Sequence, residues 1–573
     1  MKKSLMLIMM IGLVSCATKD KPILMEEVAG FKKENHVDTS KKAMIATQGK
    51  YSTYAGERMY ALGGNIIDAM AAISFVISVE RPQSTGIGGG GFLLFHHKES
   101  GKTFAFDFRE RAPFKSSKNM YLDQAGNVIP RKSIDGIFSV GTPGLVAGIL
   151  EIHKKYGKLP LVTVLEDAIK LAEEGFPVYA EMEKALKIRK SVLCKFPSSK
   201  KIFCPKGKLL KTGDHLAQKD LGKTLRAISR KGHKGFYRGK VAKGIVKTSR
   251  RYGGILRHKD LRNYKVVTRE PVTGTFKGKK IVSMAPPSSG GIHVIQILNI
   301  LERYNLKEMG LYSPKAIHLV SSAMEMAFAD RAKYLGDSDY VKVPIKGLTK
   351  KSYANELAAK INEDKAFGLN DVKAGNPWKH EADHTTHFSI MDNEGNVVVS
   401  TQTINGYFGS GLVAEGTGIV LNNEMDDFAN KVGAQNLFGA VGGDKNLVSP
   451  GKRPLSSMSP TIVFEGDKPV MAVGTPSGTR ILTCVMQTIL NYFEYDLPLY
   501  ESVATARYHH QWRPHYIRFD KGGIDANTKA ELESMGHKVV EKSLGCRVQA
   551  VVKEGEKLIG VSDPRGEGKA LGI

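Results

Sequence analysis

The sequence predicts a layered α/β fold with two sheets, and three features predict it. Residues 64–79 are apolar on most faces and rich in small side chains, the pattern of a helix buried between layers. Two β-rich runs, Thr386 to Met391 and Val397 to Thr403, are joined by Asp392-Asn393-Glu394-Gly395-Asn396, a hairpin by its turn chemistry. Strands and buried helices interleave along the chain without an internal repeat, which suits helix–sheet layering.

The chain has room for such layers. At 573 residues, 42% hydrophobic and 25% charged, it has the composition of a globular protein with a large core that needs no disulfide or metal staple. The other elements follow in order. Gly86-Ile87-Gly88-Gly89-Gly90-Gly91 leads into the strand Phe92-Leu93-Leu94-Phe95, and Phe104 to Phe108 forms a second strand. No Lys-Ser/Thr follows the glycines, so they serve close backbone approach rather than phosphate binding. Residues 145–175 alternate loop and helix. Lys280 to Met284 reads as a strand, followed by Pro286-Pro287-Ser288-Ser289-Gly290-Gly291 and an amphipathic helix through Leu301. Residues 365–383 are polar, bear Pro and Gly, and read as an exposed linker. Further strands are expected near 461–464, 470–473, 547–552 and 558–561.

Residues 1–15 read as a signal peptide: a basic Met1-Lys2-Lys3, then an apolar Leu5 to Val14 too short to span a bilayer. Leu13-Val14-Ser15-Cys16 resembles a bacterial lipobox, so Cys16 is expected to carry lipid and residues 16–42 to form a polar tether. The expected location is outside the cytoplasm, facing the periplasm and anchored to a bacterial membrane. Ala17-Thr18, with no acidic residue after the cysteine, points to the outer one. Of the other cysteines, Cys194 and Cys204 flank a Lys-rich segment where a local disulfide or two free thiols fit equally, and Cys484 sits in an apolar run that reads as core. With no CxxC pair or HExxH, neither metal nor cofactor is expected. The formal charge of +27 includes a denser basic stretch from about 184 to 280. Aromatics are not interleaved there as a stacking platform requires, so anionic lipid headgroups fit better than nucleic acid.

The chemistry gathers where the linker meets a strand, at His384-Thr385-Thr386-His387-Phe388. A threonine hydroxyl needs a base beside it, and a threonine that becomes a chain terminus carries one, its own α-amino group, with an ordinary pKa of about 7.7–8.0. Cutting the linker before Thr385 supplies that geometry. A Thr-Thr pair entering a strand is usually only structural, and His387 and His509-His510 read as structural too. Several longer motifs give the pair its meaning. They are Asp107-Phe108-Arg109-Glu110-Arg111-Ala112-Pro113, Leu421 to Phe428 (LNNEMDDF), Arg453 to Pro460 (RPLSSMSP), Gly474-Thr475-Pro476-Ser477-Gly478 and His509-His510-Gln511-Trp512.

Together with Thr385-Thr386-His387-Phe388-Ser389 and Pro286 to Gly291, these motifs closely resemble the γ-glutamyltransferase (γ-glutamyltranspeptidase) family, over about residues 43–570 and in the family's order. The resemblance implies an αββα sandwich of the N-terminal-nucleophile hydrolase type, with two stacked, mainly antiparallel sheets flanked by helices. It implies autocleavage between His384 and Thr385 into a large subunit, 43–384, and a small one, 385–573, which stay together as one structural unit. Thr385 matches the nucleophile, and Thr403 the threonine that orients it. Arg109 matches the arginine that holds the glutamyl α-carboxylate, with Ser456 and Ser457 assisting. Asn405, Glu424 and Asp427 match the groups that receive the α-ammonium. Ser477 and Gly478 match a Gly-Gly pair whose N–H groups form the oxyanion hole; serine in place of the first glycine keeps the donors unless the position needs positive φ. The segment Asn430 to Asn446, with Phe438, resembles the family's lid loop. Implied substrates are glutathione and other γ-glutamyl compounds, with water, amino acids or peptides as acceptors. A glutaryl or cephalosporin acylase of the same superfamily is the near alternative, and an uncleaved lipid-anchored protein that binds glutamyl peptides the distant one.

Overall fold

The computed structural model describes residues 22–25, 33–379 and 389–573. Two seven-stranded sheets form its centre, and every pairing within them is antiparallel. Numbered in chain order, their strands are β1 (Val37–Ser40), β2 (Ala43–Thr47), β3 (Gly90–His97), β4 (Lys102–Asp107), β5 (Val267–Arg269), β6 (Val272–Phe276), β7 (Lys279–Ser283), β8 (Ser389–Asp392), β9 (Val397–Thr403), β10 (Thr461–Glu465), β11 (Lys468–Gly474), β12 (Gln549–Glu554), β13 (Lys557–Ser562) and β14 (Lys569–Gly572). One sheet runs β14-β2-β8-β9-β3-β4-β5, the other β1-β13-β12-β11-β10-β7-β6.

Period-two alternation explains the layers. In the first sheet Phe92, Leu94, Val397 and Val399 meet the second sheet in one core, while Leu93, Phe95 and Val398 face the opposite way into another. Helices close both outer faces. On the first sheet lie α1 (Ile66–Glu80), α2 (Leu145–Tyr156) and α3 (Ala180–Leu193). On the second lie α4 (Gly290–Leu301), α5 (Pro314–Tyr334) and α6 (Arg480–Phe493). The αββα expectation holds. Helix α1 is buried over nearly its whole length and starts on a capping box between Asn65 and Asp68.

The glycine run has the use expected of it. A Cβ at Gly89 would sit 2.0 Å from the Thr403 carbonyl oxygen, and one at Gly91 2.4 Å from that of Thr401. Only glycine lets β3 lie this close to β9, whose end carries Thr403.

One sequence expectation needs correction, and the cysteines resolve an open one. The tether ends before residue 42, because Val37–Ser40 pairs with β13 and Met25 is buried in the core. Cys194 and Cys204 form a disulfide. Cys484 is core, as expected, but it is also bonded to Cys546, 62 residues away. Among the described residues no helix is long and apolar enough to cross a membrane. His384, Thr385, His387 and Cys16 lie outside the described residues.

Candidate active site

Most of the candidate side chains converge on one cavity of about 780 Å³. Arg109, Thr403, Asn405, Glu424, Asp427, Ser456, Ser457, Ser477 and Gly478 all line it. They come from strand ends and loops of both sheets, the usual place for groups that a rigid scaffold must aim.

At one end of the cavity, fully buried Arg109 is the hub. Its Nη1 donates to Glu424 and its Nη2 to Asp427 Oδ2 at 2.6 Å. Further hydrogen bonds hold it in place, among them Nε to the Pro454 carbonyl at 3.3 Å and its backbone N–H to Asp107 Oδ1 at 2.9 Å. Burial raises the Glu424 and Asp427 carboxyl pKa values, and Arg109 opposes both shifts. One guanidinium thus faces two carboxylates, a charge balance that favours a further cation beside them. Asn405 adopts a left-handed φ of 73°, its N–H donates to Thr403 Oγ1 at 2.7 Å, and its Nδ2 donates to the Asn423 carbonyl at 3.0 Å. Ser456 and Ser457 stack on the Pro286–Gly291 segment: Ser289 donates from its hydroxyl to the Ser456 carbonyl at 2.7 Å.

Two charged groups here escaped the sequence reading of single roles. Glu110 is buried with neither carboxylate oxygen hydrogen-bonded, and burial pushes its pKa up to about 8 against the pull of Arg109 3.9 Å away. Arg331 lines the cavity and donates from Nε to Ser289 Oγ at 2.9 Å; burial lowers its pKa to about 10. Glu110 lay inside a quoted motif. Arg331 had no such signal, because only the tertiary fold carries α5 to the serine pair.

The Ser477–Gly478 loop shows the cost of its serine. Ser477 has φ 126°, a conformation suited to glycine, so the replacement is strained rather than neutral. Its hydroxyl offsets this by donating to the Leu544 carbonyl at 2.7 Å. The Cys484–Cys546 disulfide ties α6, which begins just after the loop, to the segment that carries Leu544. Gly478 has φ 58°, and a Cβ there would lie 2.4 Å from the Phe438 ring. Phe438 belongs to the expected lid. That segment reaches back to the clamp through Asn436, whose Nδ2 donates to Asp427 Oδ1 at 3.1 Å. Gln511 braces it, accepting from Thr479 Oγ1 at 2.8 Å and donating to the Phe438 carbonyl at 3.3 Å.

The γ-glutamyltranspeptidase family model matches residues 52–573. The chain belongs to the γ-glutamyltranspeptidase family. It is 42% identical over 532 residues to the glutathione hydrolase proenzyme of Escherichia coli (strain K12), covering 92% of this chain and 91% of that one. Among solved structures it is similar to the γ-glutamyltranspeptidase of Helicobacter pylori, at 44% identity and TM-score 0.56, covering 57% of this chain and 94% of that one. It is also similar to a cephalosporin acylase from Bacillus halodurans, at 25% identity and TM-score 0.84, covering 95% and 98%.

Among the described residues, Glu325, His510 and His515 outside the cavity bring their ligand atoms within 4.8 Å of one another, the spacing of a metal site. The hydrogen bonding reads otherwise at His510. Its Nδ1 accepts from the Trp512 N–H at 3.2 Å, so the proton belongs on Nε2, the atom that faces Glu325. His509 likewise bonds on both nitrogens, to Thr483 and Gln511.

Proposed function

We propose that this protein is a self-cleaving γ-glutamyltransferase and glutathione hydrolase. The observation that carries the reading is the clamp. Arginine, two acidic side chains and a serine pair meet at one end of a cavity whose wall also holds Thr403 and the Ser477–Gly478 loop. An amino-acid head group is a carboxylate beside an ammonium, and this set supplies a partner for each. A glutaryl side chain carries no ammonium, so Glu424, Asp427 and Asn405 favour γ-glutamyl over it.

Thr385 is the proposed nucleophile. Strand β8 pairs with β9 through Ile390 opposite Val398 and Met391 opposite Val397. Strand β8 begins four residues after Thr385 in sequence, and Thr403 ends its partner β9. In the proposed reaction the precursor's Thr385 hydroxyl attacks the His384–Thr385 peptide carbonyl, and the resulting ester hydrolyses. The freed α-amino group then takes the Thr385 hydroxyl proton as its oxygen attacks the γ-carbonyl of the donor. Backbone N–H groups of Ser477 and Gly478 receive the oxyanion. The γ-glutamyl C–N bond breaks, the proton passes to the departing amine, and a γ-glutamyl ester remains. Water or an acceptor amine resolves that ester. Incubating the purified protein with glutathione, with and without a dipeptide acceptor, tests the activity: release of the free amine product supports it, and an inert donor contradicts it.

The same proposal places the enzyme outside the cytoplasm, lipid-anchored at Cys16 to a bacterial membrane. Its support is the lipobox-like Leu13-Val14-Ser15-Cys16 and a basic stretch: residues 184–280 carry 30 Lys and Arg against 4 Asp and Glu. Cys16→Ser should move the protein from the membrane to the soluble fraction; unlipidated wild type by mass spectrometry would contradict it.

A further inference from the structure

Four arginines that line the cavity have carboxylate partners. Arg81 pairs with Glu181, Arg109 with Glu424 and Asp427, and Arg131 and Arg189 both with Asp135. A different arrangement lies beyond the oxyanion loop. Arg480, Arg518 and Lys542 line the same cavity, yet among the described residues none of the three has a carboxylate within ion-pair distance.

Backbone carbonyls and a hydroxyl hold the two guanidiniums instead. Arg480 donates from Nε to the Leu544 carbonyl at 2.6 Å and from Nη2 to Ser477 Oγ at 3.1 Å. Arg518 donates from Nε to the Lys542 carbonyl at 3.0 Å and from Nη2 to that of Ser543. These contacts fix direction without neutralising charge. The acid nearest to Arg518 in sequence, Asp520, is already engaged by Arg565 at 3.3 Å and by the Leu544 N–H at 3.0 Å. Burial and then Arg518 lower the Arg480 pKa to about 10, the mark of cations held together without a counter-charge.

The order of contacts says what this end of the cavity faces. Gly478 touches Phe438 on the side that leads through Asn436 to the clamp, and Ser477 touches Arg480 on the other. With the γ-glutamyl head in the clamp and the γ-carbonyl at the oxyanion loop, the departing amine must lie toward Arg480.

We infer that Arg480, Arg518 and Lys542 form an anion subsite for a carboxylate carried by the leaving amine, so that the enzyme selects γ-glutamyl peptides with a free C-terminus over γ-glutamyl amides of neutral amines. This rests on the γ-glutamyl reading above and deepens it. A guanidinium fork matches a carboxylate through paired charge-assisted bonds, and here two forks and an ammonium await one.

Three donors test it on the mature enzyme: a γ-glutamyl dipeptide, the same dipeptide with its C-terminus amidated, and a neutral γ-glutamyl anilide. The wild type should favour the free acid over the amide by about tenfold or more in kcat/KM, and the preference should shrink as salt is raised. The Arg518→Gln/Lys542→Gln double variant should bring the two peptides within about twofold of each other, with Arg518→Lys intermediate. Equal kcat/KM for acid and amide in the wild type would overturn the subsite, and needs no variant. So would an undiminished preference in the double variant. Turnover of the anilide with no acid preference sinks the subsite alone, whereas turnover of none of the three donors contradicts the γ-glutamyl reading itself.

Discussion

Arg109 at one end of the cavity and Arg480 and Arg518 at the other are held in opposite ways. At the clamp, Arg109 is sealed among acidic side chains and bonded to two of them. At the far end, Arg480 and Arg518 rest on backbone carbonyls with no acidic partner among the described residues. The difference maps onto ligand charge. A zwitterionic head group needs both signs in one place, and a lone carboxylate needs only cations. The clamp is therefore part of the fold's own charge balance, while Arg518 at the far end can be altered with little structural consequence.

The largest expected effect breaks the comparison at its root. Arg109→Met leaves Glu424 and Asp427 buried without their cation, so it should cost about 3–5 kcal/mol in stability. Arg518→Gln leaves only the exposed Lys542 and Ser543 carbonyls without a donor, where water can replace it, so it should stay within about 0.5 kcal/mol. Chemical denaturation of both variants decides the matter, and equal losses would erase the distinction.

Next in size is function at the clamp alone. Arg109→Lys keeps the charge but loses the fork, so kcat/KM for a γ-glutamyl donor should fall by about tenfold or more, about 1.4 kcal/mol, with autocleavage intact. An unchanged kcat/KM would remove Arg109 from head-group binding.

Between the two ends, the Ser477–Gly478 loop offers a finer test. Ser477→Ala keeps the unfavourable φ of 126° and loses the hydroxyl anchor, whereas Ser477→Gly loses the anchor but relieves the backbone. Alanine should therefore be the more destabilising of the two, by about 1 kcal/mol. The reverse order in thermal unfolding would mean that the loop is unstrained.

A pH-dependent test concerns Glu110. Burial raises its carboxyl from an ordinary 4.5 to about 8. The folded state then keeps a proton that the unfolded chain releases, so this group makes stability fall as pH rises through that window. Glu110→Gln should flatten the decline between about pH 4.5 and 8, read from denaturation midpoints across that range.

Much of this was legible in the sequence, and the omissions have physical causes. Val397–Thr403 emerged as a strand over the expected residues, and helix 64–79 shifted by only one or two, because local composition dictates both. The clamp residues were visible only as members of ordered motifs; no local pattern says that Arg109 meets Glu424 across 315 positions. Val37–Ser40 was hidden in a polar run because its partner, β13, comes more than 500 residues later. The pairing of Cys484 with Cys546 and the approach of Arg331 to the serines are likewise products of tertiary packing. At Ser477 the sequence could pose the question of positive φ but not answer it.

The central claim is that one threonine both releases itself and carries the γ-glutamyl group. The most direct measurement is N-terminal sequencing of the smaller fragment of purified wild-type protein, run beside the Thr385→Ala variant on a denaturing gel. The account predicts a fragment that begins Thr385-Thr386-His387-Phe388-Ser389, and a variant that stays a single uncut, inactive chain. A fragment with a different first residue, or an alanine variant that is cleaved and active, would contradict it.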